Sequence, residues 1–222
     1  MIRGSEEFDK IYAANRTTVM GRLSRLMMGK CFQEQDDISR ALGLYNEIIS
    51  DKSDHPTAML LRSFAVQFRL ICLNHEKKKD YQLVVNEATA WIENRLNRAR
   101  LFSEQGLGIL WEKALAEEQL GRQREIEAAT QKVILRQALA DSRDVARFPS
   151  PYRESAVAMS RRINAALGET DAEAKDFDTA FERGRGLITQ LKSLQANLDN
   201  AKTEADRQKA QQVIDVQLNE IG

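Results

Sequence analysis

The stretch from Leu26 to Ile49, LMMGKCFQEQDDISRALGLYNEII, decides how the rest of the chain is read. Gly29 is followed by Phe32, and after the polar break Gln35-Asp36-Asp37 come Ala41 and Tyr45. A small residue and a ring three apart on one run, then four apart on the next, put each couple on one face of a helix. Small side chains at Gly29 and Ala41 let two antiparallel helices approach, and Phe32 and Tyr45 fill the space beside them. Asp37 is placed to cap the second helix, whose stripe is Ile38, Ala41, Leu42, Tyr45, Ile48 and Ile49.

This pattern resembles one tetratricopeptide repeat, with Arg25 at the family's tryptophan position, Met28 at its leucine and the closing proline late, at Pro56. The resemblance implies a right-handed solenoid of helix pairs whose concave face, lined by the first (A) helix of each pair, holds a peptide or helix of a partner. Mapped onto this chain, the family's groove positions fall on Leu23, Leu26, Lys30, Gln33 and Glu34, and Lys30 and Gln33 look free to contact a ligand. The carboxylate-clamp set of Lys, Asn and Arg over three regular repeats is absent, so recognition of a C-terminal carboxylate is not expected.

The chain outside this stretch also reads as paired helices. A lead-in helix over 5–14 carries Phe8, Ile11 and Tyr12, and the first A helix runs from Thr17 to Gln35. Pro56 fits the opening turn of the next helix, where its missing N–H costs nothing. The second A helix is apolar on more than one side, as suits a helix between neighbours. Asp80 is placed to cap its partner, which carries Leu83, Val84, Ala88 and Trp91. If Cys72 stands where Gly29 stood, Val84 and Ala88 take the places of Ala41 and Tyr45.

The third pair starts at the Ser103 cap and stops at Leu120-Gly121, and its second helix, with Ile126, Ala129, Val133, Ile134 and Leu135, ends near Ala140. DSRDVARFPSP then reads as the longest break, with two prolines, before a helix through Val157, Met159, Ile163 and Leu167. After Gly168, Thr170 and Glu173 make a capping box. From Leu187 a 4-3-4-3 apolar rhythm suits a coiled-coil-like hairpin or one long helix, the hairpin being favoured by a turn near Asp199. The expected fold is all-α: stacked antiparallel helix pairs over 1–168 and a C-terminal coiled-coil-like helical hairpin over 169–222.

Composition agrees with helices: only 3 Pro and 11 Gly among 222 residues, with 30% charged. Lys+Arg and Asp+Glu are both 33. Phosphate affinity needs a surplus of cations, so no nucleic-acid partner is expected, and the Arg-rich span Arg136 to Arg162 reads as a solvated face. No apolar run approaches the ~20 residues that span a bilayer, and MIRGSEEFDK lacks the apolar core of a leader, so neither membrane insertion nor export is expected of the chain as written. A cytoplasmic location is favoured, with secretion or a periplasmic location open if a leader has been removed. The opening MIRGS and the helical VIDVQLNEIG at the other end suggest a piece of a longer protein.

Cys31 and Cys72 lie in apolar helical stretches without CxxC spacing and read as buried free thiols. His55 and His75 have no second ligand at metal spacing, and the HExxH, GxSxG, GxxxxGKS and GxGxxG patterns are absent. The acidic pairs Asp36-Asp37 and Glu117-Glu118 read as ordinary exposed helix carboxylates. No catalytic residue, metal or cofactor is expected. The expected function is a non-catalytic protein-protein interaction scaffold, with Lys30, Gln33 and Glu34 toward a protein or peptide partner and Gly29, Phe32, Ala41 and Tyr45 as packing positions. The alternative is a purely architectural, coat-like segment that forms homo-oligomers or supports a neighbouring domain.

Overall fold

The structure is a computed structural model that describes residues 2–167 and the isolated positions Lys192, Gln195 and Ala196. The chain divides into two units, Met1–Gly168 and Glu169–Gly222. The capping box at Thr170 and Glu173 and the C-terminal hairpin fall outside the described residues. Among those described, the regular elements are all helical: α1 (Ile2–Asn15), α2 (Val19–Glu34), α3 (Ile38–Ile49), α4 (Pro56–Asn74), α5 (Tyr81–Glu93), a 3₁₀ turn (Arg95–Arg100), α6 (Glu104–Gly121), α7 (Ala128–Ala146) and α8 (Arg153–Leu167).

Local chemistry sets most of these ends. Thr18, Asp37 and Ser103 cap α2, α3 and α6 by accepting from the backbone N–H groups of Gly21, Arg40 and Gly106. Pro56 opens α4, with Nδ1 of His55 accepting from Thr57 N–H. Asp80 holds the cap position of α5, but its carboxylate makes no capping hydrogen bond. The break expected after Ala140 is shorter than the sequence suggests: α7 continues to Ala146 because Asp141, Ser142 and Val145 are buried along it. Only the prolines at 149 and 151 interrupt it. Val133 faces solvent and Ile126 lies before α7, so the buried stripe of that helix begins at Leu135 and runs through Ala138 and Leu139 to Val145.

Each helix packs against the next, and α4 packs in addition on α2 and α6. One core cluster joins Leu26, Ile38, Ala41, Tyr45, Ile48, Leu61, Ala65 and Cys72; a second joins Leu70, Leu73, Val84, Ala88, Trp91, Ile109 and Ala116. Cys72 therefore belongs with the first pair. Leu73, its neighbour, shares the second cluster with Val84 and Ala88, where the sequence reading sets Cys72. By length and composition alone α4 is long and apolar enough to cross a bilayer, a test that a buried core helix also passes. Here it is the central helix, taking part in both clusters.

The Gly29–Tyr45 contact has the form expected of it. A Cβ on Gly29 would lie 2.5 Å from Cε1 of Tyr45, so only glycine lets that fully buried ring sit on α2. Gly108 performs the same service between α6 and α4, where a Cβ would come within 2.2 Å of Nε2 of Gln67.

Candidate functional site

Two features of the helices bear on function: exposed apolar side chains on α2 and α4, and a series of cross-helix ion pairs. On α2, Met20, Leu23 and Met27 follow i, i+3, i+7 spacing; on α4, Leu60, Phe64 and Ile71 follow i, i+4, i+11. Met20, Leu23 and Leu60 are exposed, and Met27, Phe64 and Ile71 are half-buried. The two helices touch, with Nζ of Lys30 lying 5.2 Å from the centre of the Phe68 ring. Water-exposed methyl and methylene groups on neighbouring helices are what a partner's apolar side chains can cover.

Lys30, Gln33 and Glu34, picked out from the sequence, lie on the last turns of α2. Lys30 pairs with Glu34 at 2.8 Å, which holds the Glu34 carboxyl below the usual range by hydrogen bond and charge. Oε1 of Gln33 accepts from the Tyr45 hydroxyl at 2.8 Å. Neither Lys30 nor Gln33 is thus unengaged, because Tyr45 and Glu34 reach them first. Leu26 is buried in the core and does not line the face. Ala41 is buried, and Phe32 packs on the first cluster with the Arg40 guanidinium 5.3 Å from its ring centre.

A basic residue recurs on α2, α4 and α6 at 25, 69 and 113, steps of 44 residues. Each reaches a carboxylate on the following helix. Arg25 holds Glu47 through two hydrogen bonds of 2.7 and 2.9 Å, Arg69 holds Glu87 through two of 2.7 Å, and Lys113 bonds Asp141. Sequence reading missed this series. Its signal was there: a cation at a fixed 44-residue interval.

The third member is elaborated into a buried charge cluster, and here the structure corrects the reading of Glu117-Glu118 as exposed. Lys113, Glu117 and Glu118 are all buried on α6. Lys113 also donates to Oε1 of Glu117 at 2.6 Å. Burial, with the Asp141 carboxylate beside it, pushes Glu117 up to about 8 against the pull of Lys113. Burial opposes the charge on Lys113, but its hydrogen bonds to Asp141 and Glu117 outweigh it and hold the ammonium above its ordinary value. Glu118 turns to α8, where Arg162 grips it with bonds of 2.6 and 2.7 Å and Arg122 adds a third. Burial works against that carboxylate, and the two guanidinium groups overcome it and lower its pKa.

Glu112, one turn away, is pushed up to about 7 by burial, relieved only by the Asn74 amide at 2.8 Å. Beyond it, Gln67 donates to the Tyr152 hydroxyl at 2.6 Å, and the Tyr152 ring stacks on Trp111. These polar groups tie α4, α6, α7 and α8 together across their interfaces.

A polar cavity of about 390 Å³ opens between the α2–α3 and α4–α5 turns, lined by Gln35, Asp36, Asp37, Ser39, Lys77 and Lys78. Asp36, in the left-handed region with φ of 63°, takes Lys77 and His75 from the next turn. The carboxylate thereby fastens one hairpin to the next. Cys31 and Cys72 are free thiols, and burial raises Cys72 to about 11, far from the reactive thiolate range. Among the described residues no group of three or more His, Cys, Asp or Glu is placed to hold a metal ion. No family model, no curated protein and no solved structure matches the chain.

Proposed function

We propose that this chain is a non-catalytic protein-interaction scaffold, a tetratricopeptide-like right-handed solenoid of antiparallel helix pairs that takes an apolar helix or extended segment of a partner protein on its A-helix face. The observation that carries the reading is the exposure of the apolar side chains Met20, Leu23 and Leu60 on α2 and α4, two helices that touch. The repeat architecture draws support from the cation at 25, 69 and 113, each bonded to the helix that follows. Short connections between the helices favour antiparallel neighbours. Lys30 and Glu34 follow Met20 and Leu23 along α2, and exchange of their mutual ion pair for a partner's charge sets orientation more than affinity.

Crosslinking followed by affinity purification from cells expressing the full-length protein tests this. A partner captured by the parent chain and lost with Leu23→Asp and Leu60→Asp together, at unchanged melting temperature, is the expected result. Recovery of the same partner by that double variant removes the patch from the reading.

A second reading, the architectural one, has its own observation in Val133, a large apolar side chain facing solvent on α7. If copies stack through that helix, sedimentation shows an association that Val133→Lys abolishes and the double variant leaves intact.

A further inference from the structure

The turns between α2 and α3 and between α4 and α5 wall the polar cavity of about 390 Å³. A water's share of the liquid is ~30 Å³, so the space takes a carboxylate together with several of the carbons that carry it. The cavity opens to solvent, and a molecule entering it meets side chains from both turns.

Four of the lining residues are charged, Asp36, Asp37, Lys77 and Lys78, and pairing within the fold cancels most of them. Asp36 is taken by Lys77, and Asp37 by Arg40 at 3.1 Å. Lys78 is exposed, and among the described residues its ammonium has no carboxylate partner. One positive charge is left over. On the opposite wall α3 begins. Its cap, Asp37, accepts only from Arg40 N–H, so the N–H groups of Ile38 and Ser39 meet no acceptor among the described residues. Ser39 is exposed and adds a hydroxyl. A cation, a hydroxyl and the start of a helix therefore border one space with no anion of the chain left for them to serve.

We infer that the cavity binds a single carboxylate group, with Lys78 matching its charge and Ser39 and the first N–H groups of α3 donating to its oxygens. A phosphate monoester fits less well: its second charge finds no free cation, and the Asp36 and Asp37 carboxylates repel it. A divalent metal ion is disfavoured for the converse reason, since both aspartates are already paired and two lysines share the lining. The site uses none of the exposed apolar side chains of α2 and α4, so it stands or falls apart from the scaffold reading.

Isothermal titration and two-dimensional amide NMR of the full chain test the assignment with four probes: propionate, an acetylated trialanine with a free C-terminal carboxylate, the same peptide amidated, and inorganic phosphate. Saturable binding of a free carboxylate is expected, with the amide signals of Ile38 and Ser39 moving as it binds. Lys78→Met should weaken it about tenfold and Ser39→Ala severalfold, and because both side chains are exposed the melting temperature should hold. Asp36→Asn, a residue that also tolerates the left-handed backbone there, frees Lys77 for the ligand and should tighten binding severalfold. Tighter binding of the peptide makes the source a chain terminus, tighter binding of propionate makes it a small carboxylic acid, and both support the site. Equal affinity for the amidated peptide, preference for phosphate, undiminished binding by Lys78→Met, or no saturable binding of either carboxylate overturns it.

Discussion

The first and third helix pairs carry the same device in opposite settings. On the first, Arg25 reaches Glu47 with side chains 21% and 51% exposed; on the third, Lys113 reaches Asp141 with 9% and 10%. Around the exposed pair the helices are held by an apolar interlock, Gly29 beneath Tyr45. Around the buried one the contact itself is ionic, with Glu117 and Glu118 drawn in as well. A position that recurs every 44 residues thus shares its geometry without sharing its energy. Water decides how much each pair is worth, since an ion pair in solvent is nearly balanced by the hydration it gives up and a buried one has no such substitute.

The sharpest way to break the comparison is Lys113→Met. It leaves Asp141 and Glu117 facing each other without a cation inside the α6–α7 contact, and the expected loss is about 3–5 kcal/mol of unfolding free energy in urea. Replacing Lys113, Glu117 and Asp141 together by Met, Leu and Leu should recover most of that loss, because no uncompensated charge then remains. A triple variant as unstable as the single one would show that the helices are held by packing alone.

Next in size is a dependence on pH. Glu117 and Glu112 bind a proton more tightly folded than unfolded, at about 8 and about 7 against an ordinary value of 4.5. The stability they contribute is fully present below about 4.5 and is lost as pH rises through 7 and 8. Glu118, held low by Arg162 and Arg122, works the other way and loses its contribution as pH falls below the ordinary carboxylate range. The protein should therefore be most stable near pH 5 and lose on the order of a few kcal/mol by pH 8.5. Glu117→Gln should flatten most of the slope. A flat profile in the parent chain would mean that the buried carboxyls are hydrated.

In the first pair the corresponding break is steric. Gly29→Ala drives a methyl group into the fully buried Tyr45 ring and should cost about 2 kcal/mol, with thermal melting as the readout. Adding Tyr45→Leu should return part of it by vacating the ring's place. A single variant that melts with the parent would mean that α2 and α3 slide apart without penalty.

That interlock was legible in the sequence because small and aromatic residues at three- and four-residue spacing have few other uses, and Asp37, Pro56 and Ser103 announced their helix ends by chemistry alone. The third pair was misread for an equally physical reason. Glu117 and Glu118 look like solvated carboxylates until their cations are found, and those lie across the chain at Arg162 and on the same helix at Lys113 and Arg122. Hydropathy assigns such residues to the surface, and only the tertiary fold shows the three cations set against them. The one-residue error at Cys72 has the same origin: on a helix apolar around most of its girth, periodicity does not say which side faces which neighbour. Lys30 and Gln33 are engaged by Glu34 and Tyr45, two residues the sequence reads as a groove position and a packing plug.

The smallest effect tests the other half of the comparison. Arg25→Met removes the bidentate bond to Glu47 and the contact of the guanidinium with the Tyr12 ring, 4.6 Å from its centre. Glu47 is half exposed and rehydrates, the methionine stem keeps much of the arginine's apolar contact, and the ring contact at such a site is worth about 0.5–1 kcal/mol. The expected loss is under about 1 kcal/mol, several times smaller than for Lys113→Met, and raising the salt concentration should shrink it further. Equal losses for the two variants would mean that burial does not set the worth of this ion pair, and that the 44-residue recurrence marks one shared energetic role at all three positions.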